Sequence, residues 1–423
     1  FVYIFEISSM AQNLVVVGNG MAGMKAVEEI ISATPETFNI TVFGAEPYGN
    51  YNRILLSPVL CGEKSIEDIL INSFEWYEEK NIQLFAGEDK TVIRIDRKKK
   101  IVYAKDGSQA PYDRLLIATG SKPFILPLPG NDLEGVMAFR DIYDVNKMLN
   151  YSEKKQHAIV VGGGLLGLEA ANGLAQRGMH VTVVHHNDIL LNRQLDKEAA
   201  KLLQQELENR GIRFKLSSST QEIIDNGKGH VGSVSFKDGS SLQCDLFIMA
   251  VGVRPNIDLA QSAGIYCEQG IMVSDTLQTF DPSIYAVGEC IQHRGQTFGL
   301  VAPLFDQAKV CANHLSGHGV AEYKTLPTAT KLKVSGIQLF SVGNFIGDEY
   351  CEFITFKDPE AKLYRKLVIQ NNQIIGAVLY GDSTQGAWFH TLIESHTDIS
   401  PFRELLIFGE HYCNQPSGIE EAA

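Results

Sequence analysis

Two strand–glycine–helix units limit what this chain can become. The first is Leu14-Val-Val-Val-Gly18-Asn-Gly20-Met21-Ala22-Gly23, four apolar residues that predict a buried strand, then glycines, then a helix from about Met21. The spacing is G-x-G-x-x-G. Gly18 allows the tight turn, Gly20 lets a pyrophosphate approach the backbone, and Gly23 lets the helix pack on the strand. The helix N-terminus then turns unpaired N–H groups and a partial positive charge towards the phosphates. One such match is structural as often as functional. The second copy, Ala158-Ile-Val-Val161-Gly162-Gly-Gly164-Leu165-Leu166-Gly167-Leu-Glu169, changes that balance. Two dinucleotide units in one chain predict two nucleotides held end to end, most economically a flavin that accepts hydride from a nicotinamide.

At 423 residues the chain has room for two or three domains, and its composition is that of an ordinary globular protein. A formal charge of −13 disfavours nucleic acid or an anionic membrane as a partner. No apolar run reaches the roughly 18 residues of a membrane helix. The seven cysteines, Cys61, Cys244, Cys267, Cys290, Cys311, Cys351 and Cys413, are widely scattered. That spacing contains no C-x-x-C, zinc or cluster-binding run and suggests free thiols in a reducing cytoplasm. Residues 1–9 are apolar without basic residues, a poor signal peptide, and Met10 reads as the natural start.

Along the chain, Asn39-Ile-Thr-Val-Phe43 predicts a second strand with Glu46 beyond it, about 20 residues past the glycines, where an acid bonds a ribose hydroxyl. The loop Tyr51-Asn52-Arg53 carries one cation among polar and aromatic residues and is a candidate diphosphate wrap. Trp76 and Tyr77 read as core. The region from Gly87 to Tyr112 reads as a meander with a turn at Asp106-Gly107. Leu115-Leu-Ile-Ala118-Thr119-Gly120 is a buried strand ending at glycine, and Cys244 to Val251-Gly252 echoes it. Lys122-Pro123 follows the first and Arg254-Pro255 the second, so both mark domain crossings. After the second unit's strand His180–Val184 comes His185-His186, with Asp188 and Arg193 further on. An acid there favours NADH and a cation NADPH, so the nicotinamide preference stays open. Tyr285-Ala-Val-Gly288-Glu289-Cys290 delivers an acid next to glycine, suited to a ribityl hydroxyl. Pro303 opens a helix whose N-terminus can face the flavin pyrimidine. From about residue 321, antiparallel strands (one spanning 331–346) and a helix after Gln385 predict a smaller α+β unit, whose plainest role is an interface, a homodimer included. The polar tail from Gln415 reads as frayed.

The fold expected is therefore α/β, two Rossmann-like dinucleotide units and a C-terminal α+β unit. The expected boundaries are 10–121 and 245–322 for FAD, 122–244 for NAD(P)H and 323–423 for the last unit.

These pieces resemble the two-dinucleotide-domain flavoprotein reductases: the paired glycine motifs, Ile117-Ala-Thr-Gly120 and Tyr285-Ala-Val-Gly-Glu289-Cys carry the likeness. More narrowly, Tyr51-Asn-Arg-Ile-Leu-Leu-Ser57, Gly299-Leu-Val-Ala-Pro303, Thr330-Lys-Leu-Lys-Val-Ser-Gly336 and Gly376-Ala-Val-Leu-Tyr-Gly-Asp382 are similar to the amino-terminal reductase half of assimilatory NAD(P)H nitrite reductase large subunits. The resemblance implies bound FAD, NAD(P)H as donor, and electrons passed to an iron–sulfur and sirohaem nitrite-reducing protein or domain, or to a small iron–sulfur carrier. That family continues into cysteine-rich cluster domains, which this sequence does not contain. Relatives that reduce ferredoxin or rubredoxin often place lysine where Pro58 stands, paired with an acid such as Glu169; here the lysine is absent, and the resemblance implies no paired catalytic role for Glu169. Rubredoxin or ferredoxin reductase, an NADH oxidase or disulphide reductase using Cys61, and a flavin-bound redox sensor are the alternatives.

Overall fold

The computed structural model describes residues 11–325 and 329–413; the candidate start at Met10 and the tail from Gln415 lie outside them. Two five-stranded parallel sheets are built to one plan. In the first the order is Ile284–Ala286, Arg114–Ile117, Gln12–Val17, Phe38–Gly44, Gln83–Ala86. In the second it is Val136–Ala138, Leu246–Met249, His157–Val161, His180–Val184, Arg213–Lys215. Past its polar first residues each central strand is apolar because helices or loops cover both faces: Leu14, Val15 and Val16, and Ile159 and Val160, are at most 1% exposed.

The chain leaves the first sheet after Ile117 and returns to it at Ile284. The two crossings pair with each other. Ser121–Pro123 lies antiparallel to Val253–Pro255, with Lys122 opposite Arg254, and the proline-bearing segments echoed in the sequence form one two-stranded tie. Residues 92–111 form the expected meander, Val92–Asp96, Ile101–Ala104 and Gln109–Pro111. Tyr77 is fully buried, whereas Trp76 is only half-buried beside it.

The third sheet is antiparallel, in the order Thr330–Val334, Ile337–Gly343, Gln373–Tyr380, Leu363–Gln370, Glu352–Asp358, with the helix Gly386–Glu394 against it. The single strand expected over 331–346 is two strands. Ser335 (φ +50°) and Gly336 (φ +87°) turn the chain between them, the positive-φ pair that a two-residue hairpin requires. Val334, Leu339, Tyr364, Val378 and Tyr380 share one apolar core with Leu168, Leu203 and Leu207 of the second unit's helices. Tyr364 adds a hydroxyl donated to Asp196, 2.7 Å away, the cap of the helix Lys197–Asn209. No helix among the described residues is long and apolar enough to cross a membrane.

Candidate functional site

The two glycine turns superimpose in their steric logic. A methyl placed on Gly18 (φ +118°) would lie 2.1 Å from the carbonyl oxygen of Ala118, and one on Gly162 (φ +123°) would lie 2.1 Å from that of Ala250. Methyls on Gly23 and Gly167 would meet the carbonyl oxygens of Gly18 and Gly162 at 2.9 and 2.0 Å. Gly18, Gly162 and Gly167 need glycine because backbone packs on backbone, and Gly23 because the Ala118 methyl (2.8 Å) closes on it together with the Gly18 carbonyl. Gly20 and Gly164 differ: a methyl on either would meet nothing within 4 Å. Each is therefore the floor of an open cradle rather than a packing contact.

Helices Met21–Ala33 and Leu165–Gln176 start at these turns, and neither has a side-chain cap on its N-terminus. The helices Ile142–Ser152 and Lys197–Asn209 are capped by Asp141 and Asp196 instead. Uncapped N–H groups above an open glycine suit a diphosphate, so the residues present fit a dinucleotide in each turn. Met21 and Ala22, and Leu165 and exposed Leu166, contribute the first amides of their helices. Helix Val301–Leu315, with Pro303 in its first turn, also starts uncapped, beside open Gly299.

A run of polar contacts joins the units. The Tyr51 hydroxyl donates to Glu46 (2.7 Å), which also pairs with Arg53. Arg53 donates to the carbonyl of Arg140 (3.0 Å), and the Arg140 guanidinium pairs with Glu289. Glu289 further accepts from the Ser121 hydroxyl at 2.7 Å. Glu46 and Glu289 are thus brought onto one network, and Asn52 caps the short turn at Arg53 by accepting from the Ile54 N–H. Ser121 belongs to the crossing Ser121-Lys-Pro123 that the sequence marks, whereas Arg140 carries no such signal. Arg140 lies just past strand Val136–Ala138 and reaches back to the other unit, a long-range contact no local pattern encodes. Thr119 donates to the carbonyl of Asn256 (2.7 Å), and Asn256 N–H returns to Gly120 (2.9 Å), closing the crossing beside Val251-Gly252. Gly288 is held by its N–H on the fully buried Gln307 (2.9 Å).

Three candidates sit differently from a simple nucleotide contact. His185 is buried beneath the second turn, and its Nδ1 accepts the Gly163 N–H at 3.1 Å. Burial first, then His186, holds its pKa below the ordinary histidine value. The ring is a neutral prop for the turn. Glu169 points to the C-terminal hairpin and accepts the Ser335 N–H at 2.6 Å, its pKa raised by burial. Cys61 ends the helix Leu56–Cys61, and burial, then Glu63 and Glu169, push its thiol up to about 11. A thiol so protonated at neutral pH is a poor nucleophile. Among the described residues no group of three or more His, Cys, Asp or Glu side chains is placed to hold a metal.

Paired open cradles on paired parallel sheets define a two-dinucleotide oxidoreductase. The chain belongs to the pyridine nucleotide-disulphide oxidoreductase family, whose model matches residues 12–311, and residues 328–397 match the rubredoxin NAD+ reductase C-terminal domain. Its cofactors are FAD and NAD(P)H. It is similar to a nitrite reductase [NAD(P)H] of Bacillus subtilis, 50% identical over 94% of this chain and 49% of that protein. It is 44% identical to the assimilatory nitrate reductase electron transfer subunit of the same organism, over 94% of this chain and 51% of that one. The chain thus spans about half the length of these curated relatives. Among solved structures, the NADH:rubredoxin oxidoreductase of Clostridium acetobutylicum matches with a TM-score of 0.76 at 26% identity, over 93% of this chain and 97% of that one.

Proposed function

We propose that this chain takes electrons from NAD(P)H through FAD and delivers them to an iron–sulfur and sirohaem nitrite-reducing module. In this reading residues 10–121 and 245–322 hold FAD on the first cradle, residues 122–244 hold NAD(P)H on the second, and residues 323–423 form the contact unit. When bound, the nicotinamide supplies a hydride and the flavin takes two electrons that it can release singly. The chain's own residues position and screen. Uncapped helix ends meet the diphosphates, and Glu46, Arg53, Arg140 and Glu289 offer acceptors and donors to the ribose, ribityl and phosphate groups between them. No side chain is asked to act as acid or base.

The observation that carries this reading is the pair of open, uncapped cradles joined through the Arg53–Arg140–Glu289 run. The nitrite-reducing partner is supported by the likeness to the Bacillus subtilis nitrite reductase [NAD(P)H], and a role in passing electrons on by the likeness to the assimilatory nitrate reductase electron transfer subunit. A second reading, a reductase of a small iron–sulfur carrier, is favoured by the rubredoxin-reductase likeness of residues 328–397. Stopped-flow mixing of the NAD(P)H-reduced protein with each acceptor separates them. Faster reoxidation by the nitrite-reducing module is expected; faster reoxidation by rubredoxin or ferredoxin, with none by the module, would reverse the assignment.

A further inference from the structure

In a dinucleotide fold the end of the second strand meets the adenosine ribose. A carboxylate there accepts both ribose hydroxyls of NADH and repels a 2′-phosphate, whereas a cation there accepts the phosphate. In the second unit that strand is His180–Val184, paired along its length with the central strand His157–Val161. It ends in His185, not in an acid. The nearest acid along the chain, Asp188, faces Lys197 at 3.5 Å, both of them exposed. Asp238, across the sheet end, is held by Lys215 at 2.7 Å.

The segment from Asn187 to Leu195 is fastened to the cradle. Leu191 donates its N–H to the carbonyl of Gly163 at 2.9 Å and does so from a left-handed backbone (φ +48°), strained for a leucine. The Leu190 side chain would come within 3.0 Å of a methyl on Gly163. Asn192 flanks the His185 ring. Arg193 is the next residue; it is exposed and makes no ion pair among the described residues. His186, at the strand end, is also exposed and lies edge-on to His185 with ring centroids 4.8 Å apart.

His185 itself stays inside: its Nδ1 accepts from Gly163 and its Nε2 is buried, so the ring holds the turn and contact with a ligand falls to the exposed groups of the strand end and the following segment. Those groups, Arg193 and His186, can donate, and a phosphate oxygen accepts. A carboxylate-lined ribose pocket would show the opposite set of groups at this position.

We infer that the second cradle is built for the 2′-phosphate of NADPH, with Arg193 supplying the charge and His186 a further donor. This rests on the reading that the second cradle holds a pyridine nucleotide. It goes beyond that reading by choosing between the two.

Calorimetric titration of the purified flavoprotein with NADP+ and, separately, NAD+ tests it without turnover. NADP+ is expected to bind about tenfold more tightly, as one well-placed charge-assisted pair allows. Arg193→Ala should cut the ratio to about threefold or less, and Arg193→Lys should restore part of it. Equal affinities, tighter NAD+, or a ratio that Arg193→Ala leaves unmoved would overturn the inference while leaving the second cradle a pyridine-nucleotide site. A yellow protein that binds neither nucleotide would overturn the reading of the cradle itself.

Discussion

The two glycine turns share a backbone path and differ in what holds it. At the first, the residue between the leading glycines is Asn19. Its side chain donates to the Tyr48 carbonyl (3.1 Å) and accepts from the Tyr77 hydroxyl (2.6 Å). That hydroxyl also accepts from the Asn50 N–H (3.3 Å), and Asn50, Asn72 and Glu28 extend the network at 2.8 and 3.0 Å. At the second, the same position is Gly163, bare because the His185 ring fills the space: a methyl there would lie 2.7 Å from the ring. One turn is braced by hydroxyl and amide groups, the other by a titratable ring. The glycine pattern therefore dictates the cradle, and the surrounding strand end and loop decide how it responds to substitution and to pH.

The largest effect should come from Gly18→Ala set beside Gly20→Ala. Forcing a methyl against the Ala118 carbonyl at φ +118° should cost about 3 kcal/mol or more and leave little folded protein. At Gly20 the methyl meets open space, so the variant should fold with the thermal stability of the flavin-free parent yet fail to hold flavin. Flavin content and melting temperature together read both outcomes. If Gly20→Ala keeps its flavin, the open cradle is not the flavin site.

Next, transplanting the first turn's residue into the second, Gly163→Asn, drives a side chain into His185. NAD(P)+ affinity should fall about tenfold or more, with flavin retained; an unchanged affinity would show that the ring moves aside freely.

Acid should separate the turns in the same way. The folded pKa of His185 lies below the unfolded value of about 6.5, so the neutral ring's contribution is complete above that pH and is lost as the pH falls through and below it. NAD(P)+ affinity should therefore decline as the pH is taken below about 6.5 while flavin stays bound, since burial pushes the Tyr77 hydroxyl up, away from neutrality. His185→Asn should flatten the profile.

The smallest expected change is Tyr77→Phe. Removing the hydroxyl leaves Asn19 and the buried Asn50 N–H each short of a partner, about 1–2 kcal/mol. Flavin affinity should drop up to roughly tenfold, and NAD(P)+ affinity should not move.

Much of this architecture was legible in the residues. Apolar runs before Gly18 and Gly162 name the central strands, and the twin Lys-Pro and Arg-Pro segments mark crossings that turn out to pair. The Ser335-Gly336 turn carried its signal too, a Ser-Gly dipeptide inside an apolar run, though the run's length masked it. What escaped depends on contacts distant in sequence. Arg140 meets Glu289 from another sheet, and Glu169 meets a hairpin more than a domain away. His185 was legible as a residue at the ribose position, but not as a buried acceptor for a backbone N–H, because burial and tautomer belong to the folded environment.

Two differently braced cradles should hold two nucleotides close enough to exchange a hydride. Anaerobic titration of the purified yellow protein with NADPH, followed by flavin absorbance, tests it most directly. Bleaching should be complete at one equivalent per bound flavin; a flavin that stays oxidised under excess NADPH and NADH, or a chain that binds no flavin, would show that the two cradles do not work together.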